Sequence, residues 1–208
     1  MGLSNWIKQV LGKPADADVA ADAGAAVAQP GPPPLATAVT IEDWRALSIV
    51  AAQALVPDDV EDLWAEVQWA LTEPALYHSR FTDDLENRGI FDAQGVRPWL
   101  ALVDGLQRRG QNCELDWKLD MGDLVWNLKQ LKSVQQQAIS LDALEESEAE
   151  GFDALQEAGS FLQTQGLALL SFDIDSDSYP LSVVDNSAVE PLLGLAQRLR
   201  QKLDCLQK

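Results

Sequence analysis

Asp173, Asp175 and Asp177 alternate with Ile174 and Ser176 in the stretch SFDIDSDSYPLSVVD, residues 171–185. Carboxylates at every second position can ligate a divalent cation or share acid and base roles in hydrolysis. An EF-hand loop starting at Asp173 needs glycine at its sixth position and glutamate at its twelfth. Ser178 and Val184 stand there, so that motif is excluded. A looser Mg²⁺ or Ca²⁺ site would require Asp175 and Asp177 to meet Asp116 or Asp185 from a neighbouring element. Turn chemistry explains the same residues more simply, because short Asp and Ser side chains hydrogen-bond local backbone N–H groups. The stretch is therefore expected to be a hairpin loop that can also serve as a contact surface.

Other chemistry is sparse. The single histidine, His78, stands beside Ser79, and adjacent residues do not supply nucleophile–base geometry. Cys113 alternates in phase with Leu115 and Trp117, which predicts burial rather than an activated thiolate, and no local motif joins it to His78. Neither GxxxxGK[ST] nor GxGxxG opens a helix, so no nucleotide cofactor is expected. No catalytic residue, cofactor ligand or metal ligand is assigned.

Charge narrows the partners. With 33 acidic against 15 basic residues, the formal charge of −18 disfavours nucleic acid and anionic lipid and favours a basic protein partner. Two cysteines form no disulfide framework. Without a secretory apolar segment or a long apolar run, a cytoplasmic protein with no integral membrane association is expected.

The elements that would position these residues divide near residue 40. Residues 1–13 read as a short amphipathic helix with Leu3, Trp6, Ile7, Val10 and Leu11 on one face, able to dock weakly on a bilayer, a partner or its own domain. Residues 14–39, rich in alanine and proline, read as a flexible linker, and residues 40–208 as one α+β domain. Within it, helical stripes run through Trp44, Ser48, Ala51 and Leu55 behind a Thr40 cap, then through Leu63, Trp64 and Val67. Further stripes pass through Trp99, Leu102, Val103 and Leu106, through Met121, Leu124, Val125 and Leu128, and through Phe152, Leu155 and Leu162. Residues 112–118 predict a strand, 133–150 a loop with a short helical turn, and 167–174 with 179–185 a C-terminal hairpin. Ser187 and Glu190 suggest a capping box for a last helix carrying Leu192, Leu195, Ala196, Leu199 and Leu203, with Pro191 in its first turn. The expected fold is a small, mostly antiparallel sheet of about three strands packed with several helices.

The segments 98-PWLALVDGLQRRG-110, 115-LDWKLDMGDLVWNLKQL-131 and 166-GLALLSFDIDSDSYPLSVV-184 resemble DUF6630, an uncharacterised bacterial domain-of-unknown-function family. The resemblance covers about Asp58 to Leu203, and its most specific pieces are Leu115–Lys118 and Asp175–Tyr179. It implies a bacterial origin and an α+β fold, and it assigns no activity and no functional residue.

Two of the seven tryptophans leave the apolar stripes. Trp69 falls opposite Val60, Val67 and Leu71, among Asp62, Glu66 and Glu73, and Trp126 falls nearly opposite Leu124, Val125 and Leu128. Helices buried on both sides would account for this. So would exposed aromatics set in acid, a composition suited to binding a basic protein surface. The candidate interaction surface is thus Asp62, Glu66, Trp69, Trp126, Asp175, Asp177 and Tyr179. The expected function is a non-enzymatic interaction module, with an immunity- or antitoxin-type inhibitor as one form. A metal-dependent hydrolase using Asp116, Asp175 and Asp177 is the alternative.

Overall fold

The computed structural model describes residues 38–207. The helix expected over 1–13 and nearly all of the linker expected over 14–39 lie outside them. Thr40 caps helix α1 (Ile41–Leu55) through a reciprocal box, its hydroxyl accepting from the Asp43 N–H while Asp43 accepts from the Thr40 N–H. A turn of 3₁₀ helix at Pro57–Asp59 leads into α2 (Val60–Thr72). Two short helices follow, α3 (Pro74–Arg80) and α4 (Thr82–Asn87), and then α5 (Pro98–Arg108). Prolines open α3 and α5, where the missing N–H removes no intrahelical bond.

The sheet has four strands in the order β1-β3-β2-β4, all neighbours antiparallel. They are β1 (Cys113–Asp116), β2 (Leu167–Phe172), β3 (Ser178–Asp185) and β4 (Leu203–Leu206). Between β1 and β2 run α6 (Met121–Gln130), α7 (Lys132–Gln136) and α8 (Gly151–Thr164), and α9 (Asn186–Arg198) joins β3 to β4. Since β3 and β4 both pair antiparallel with β2, they run parallel to each other, and α9 is the crossover such a pair requires.

Alternation along β2 divides two cores. Ala168, Leu170 and Phe172 pack with Trp44, Leu63, Trp64, Trp99, Leu102 and Leu192 from α1, α2, α5 and α9. Leu167 and Leu169 pack with Met121, Leu124, Leu128, Leu155 and Leu162 from α6 and α8. Every residue of β2 is buried. The sheet is covered by helices on both faces, giving an α+β fold in three layers. Among the described residues no helix is long and apolar enough to cross a membrane.

Several expectations are corrected. The sheet has four strands rather than three, because Leu203 belongs to β4 and not to the last helix. That helix is capped by Asp185, which accepts from the Ser187 N–H, rather than by a Ser187 box. Pro191 consequently lies beyond the first turn and removes the N–H that would have bonded the Ser187 carbonyl. Trp117 does not continue the inward face of β1: the strand stops at Asp116, and a turn leaves the indole 52% exposed.

Candidate functional site

The Asp173–Asp177 stretch is a turn, and it also forms one wall of a cleft. Asp173 Oδ1 accepts the Asp175 N–H at 2.9 Å, and Oδ2 pairs with Lys202 at 3.0 Å. The Asp175 N–H, followed by Lys202, holds the Asp173 carboxyl below its ordinary pKa. Asp175 takes a left-handed φ of 59° and pairs with Arg97 at 3.1 Å, both side chains in water. The Trp99 indole N–H donates to the Asp173 carbonyl at 2.7 Å, tying the turn to α5. The cleft measures about 960 Å³, and its lining includes Trp44, Trp99, Ile174, Arg97, Arg200 and Lys202.

Through Asn87, Arg88 and Glu114 it meets a smaller polar chamber of about 430 Å³. Arg88 from the end of α4 reaches Asp104 on α5 at 2.6 Å and Glu114 on β1 at 2.7 Å. Glu114 also accepts from the Ser178 hydroxyl, bringing the start of β3 into the network. The two carboxylates diverge in acidity. Burial pushes Asp104 up, outweighing Arg88. Burial also opposes charge on Glu114, yet Arg88 and Ser178 bring its pKa down. Separated carboxyl acidities around one cation are a recurring feature of acid–base sites. Here the side chains already satisfy one another and fasten α4, α5, β1 and β3 together.

These shifts carry a pH dependence. Glu114 and Asp173 are lowered in the folded state, so their stabilisation is complete above their unfolded values near pH 4. It is lost as pH falls through the lowered folded values. Asp104 is raised and acts in the opposite sense, binding its proton more tightly in the folded state. Acid unfolding followed by circular dichroism is expected to be less steep for Asp173→Asn than for the parent. Superimposable curves would show that the Asp173 turn contributes nothing to acid sensitivity.

The remaining sequence candidates fall in separate places. Asp62 is exposed on α2. Glu66 is not a rim residue: it is 9% exposed and pairs with Arg108 at 2.6 Å and Arg109 at 2.9 Å. Trp69 is half-buried in a satellite core with Ala70, Tyr77 and Leu85, with the Arg80 guanidinium 4.2 Å above its ring. Both corrections share one cause, since α3 and α5 cover the side of α2 that looked free. Tyr179 is half-buried against the core beneath α6 and α8. Trp126 does face water, 64% exposed. Burial pushes the Cys113 thiol up to about 12, so it carries no thiolate at neutral pH.

Asp177 is exposed, and its carbonyl accepts the Trp117 N–H at 3.1 Å. This bond joins the aspartate turn to a second feature. The Gly151 N–H donates to the Leu119 carbonyl at 2.8 Å, and Asp120 bridges Glu150. Gly151 has φ +53°, and a Cβ there would lie 3.2 Å from the Trp117 carbonyl oxygen. The start of α8 is thereby held against the Trp117 turn. Phe152, 50% exposed, and Trp117 stand on adjoining backbone among exposed Asp116, Asp120, Glu150, Asp153 and Asp177. The Lys118 ammonium lies 5.0 Å over the Trp117 ring. Alternation counted one residue too far hid Trp117, and a stripe that begins at Leu155 rather than at Phe152 hid its neighbour.

The architecture is that of a helix-covered four-stranded antiparallel α+β domain carrying a polar cleft and an acidic face with exposed aromatics. The chain belongs to the family described as a domain of unknown function, DUF6630, whose model matches residues 49–206. No curated protein and no solved structure matches it.

Proposed function

We propose that this domain is a non-enzymatic interaction module that docks a basic protein surface, in a bacterial cytoplasm. The observation that carries this reading is the placement of Trp117 and Phe152, both at least half exposed, on adjoining backbone among five exposed carboxylates. Large aromatics surrounded by polar residues provide the desolvated centre of a protein interface. The acidic rim selects a cationic partner and steers its approach. An immunity-type inhibitor that covers the basic active surface of a toxin is the specific form proposed, on the strength of charge alone.

The hydrolase alternative has less support. Among the described residues, no group of three or more His, Cys, Asp and Glu side chains is placed to hold a metal ion. Asp116 and Asp177 flank the same strand end, whereas Asp175 is turned toward Arg97 across the loop.

The test is capture of a partner from native cells, followed by association kinetics at several salt concentrations. The association rate is expected to fall steeply as the screening length shortens from about 10 Å at 0.1 M salt to about 3 Å at 1 M. An acidic partner, or an association rate indifferent to salt, would contradict the proposal.

A further inference from the structure

The cleft beside the Asp173 turn lies apart from the docking face, and cations outnumber carboxylates in its lining. In a chain of formal charge −18, Arg88, Arg97, Arg200 and Lys202 all line one cleft, beside the carboxylates Glu114, Asp173 and Asp175. Beneath them lie the buried indoles of Trp44 and Trp99 together with Ile174. Trp99 is held on both sides, by its N–H bond to the Asp173 carbonyl and by the Phe172 ring 5.4 Å away. The apolar floor is therefore preformed, as ligand sites generally are.

The cations differ in availability. Arg88 is committed to Asp104 and Glu114. Arg97 holds the exposed Asp175 in a water-screened pair that is weak and readily exchanged. The exposed Lys202 ammonium lies between half-buried Asp173 and exposed Asp204. Arg200 has no side-chain hydrogen bond or ion pair among the described residues. Its backbone is also unusual. The Gln201 N–H bonds the Ala196 carbonyl and the Arg200 N–H bonds the Gln197 carbonyl, the two bonds of a Schellman helix end. In that motif Arg200 occupies the left-handed position, φ 58°, where glycine is preferred. An arginine kept at a glycine position, without a side-chain partner among the described residues and lining this cleft, is strain located where a ligand would use it.

We propose that this cleft binds a small organic anion, a carboxylate or phosphate monoester carried on a flat apolar body. The body rests on the accessible edges of Trp44 and Trp99 and on Ile174, and the anion is held by Arg200 and Lys202, with Arg97 exchanging Asp175 for the ligand. This site is independent of the docking face.

Phenyl phosphate is the probe, with phenol as its neutral counterpart, titrated into the full chain and followed by tryptophan fluorescence and calorimetry. Saturable one-to-one binding of phenyl phosphate is expected, with phenol much weaker. Arg200→Gly and Lys202→Gln should each weaken it about tenfold, the loss of one charge-assisted contact. Because Arg200→Gly places the preferred residue at a left-handed position, its melting temperature should rise while its affinity falls, which separates ligand loss from misfolding. Trp117→Ala should leave phenyl phosphate binding unchanged. Absence of saturable binding, equal affinity for phenol, or undiminished affinity in both cation variants would overturn the proposal.

Discussion

Gly159→Ala is expected to destabilise the domain by about 3 kcal/mol, the upper end of overpacking costs. Gly159 lies in the middle of α8, where glycine is disfavoured by propensity alone. A Cβ there would stand 1.7 Å from the carbonyl oxygen of Leu206 and 2.6 Å from its carbon. Both are backbone atoms of β4, which cannot swing aside as a flexible side chain would. Helix and strand would have to separate, and Leu206 would leave the core it shares with Leu155 and Leu162. Gly194 in α9 supplies the control, because a Cβ there meets nothing within 4 Å. Gly194→Ala should stabilise by up to about 1 kcal/mol through helix propensity. Urea midpoints of the two variants should move in opposite directions. A Gly159→Ala midpoint equal to the parent's would mean that β4 does not lie against α8.

The second large effect is expected at Arg88. Replacing it with methionine keeps much of the volume but leaves Asp104 and Glu114 without their cation. Removing one partner of a buried ion pair typically costs about 3–5 kcal/mol, because the remaining charge is uncompensated. Asp104 is the more exposed to that penalty, with its side chain 6% accessible against 20% for Glu114. The loss should be greatest at neutral pH and should shrink in acid, where both carboxyls take up protons and no longer need a counter-charge. Arg88→Met combined with Asp104→Asn should recover part of the stability. Urea titrations at pH 7 and pH 4 measure this directly. A loss independent of pH would assign Arg88 a packing role rather than an electrostatic one.

The two residues show how far the sequence could be read. The helical stripes through Trp44, Leu63, Trp99 and Leu124 were legible because 3.6-residue spacing of apolar side chains survives any tertiary context. The hairpin was legible from alternation and turn chemistry. Strand β4 was not, since Leu203 continues the leucine spacing of α9 and only the left-handed Arg200 interrupts it. Gly159 held the missing information: a glycine inside a helix marks a close backbone approach, although not the strand that makes it.

The candidate site was less legible than the fold. Glu66 looked like a surface acid because its partners, Arg108 and Arg109, come from another helix. Helix α3 spans only 7 residues and carries no apolar stripe, so nothing announced that it would cover Trp69. The cleft is built from Trp44, Trp99, the Asp173 turn and Arg200, whose proximity is a product of the fold and has no trace in local spacing.

The docking face is tested most directly by dissociation rates of the captured partner from Trp117→Ala and Phe152→Ala, beside Asp142→Asn, whose carboxylate pairs with Lys129 elsewhere on the surface. A desolvated aromatic anchor is worth about 2 kcal/mol or more. Each aromatic variant should therefore dissociate about 30-fold faster or more, while Asp142→Asn dissociates like the parent. Dissociation unchanged by the loss of both Trp117 and Phe152 would contradict the assignment of this face as the binding surface.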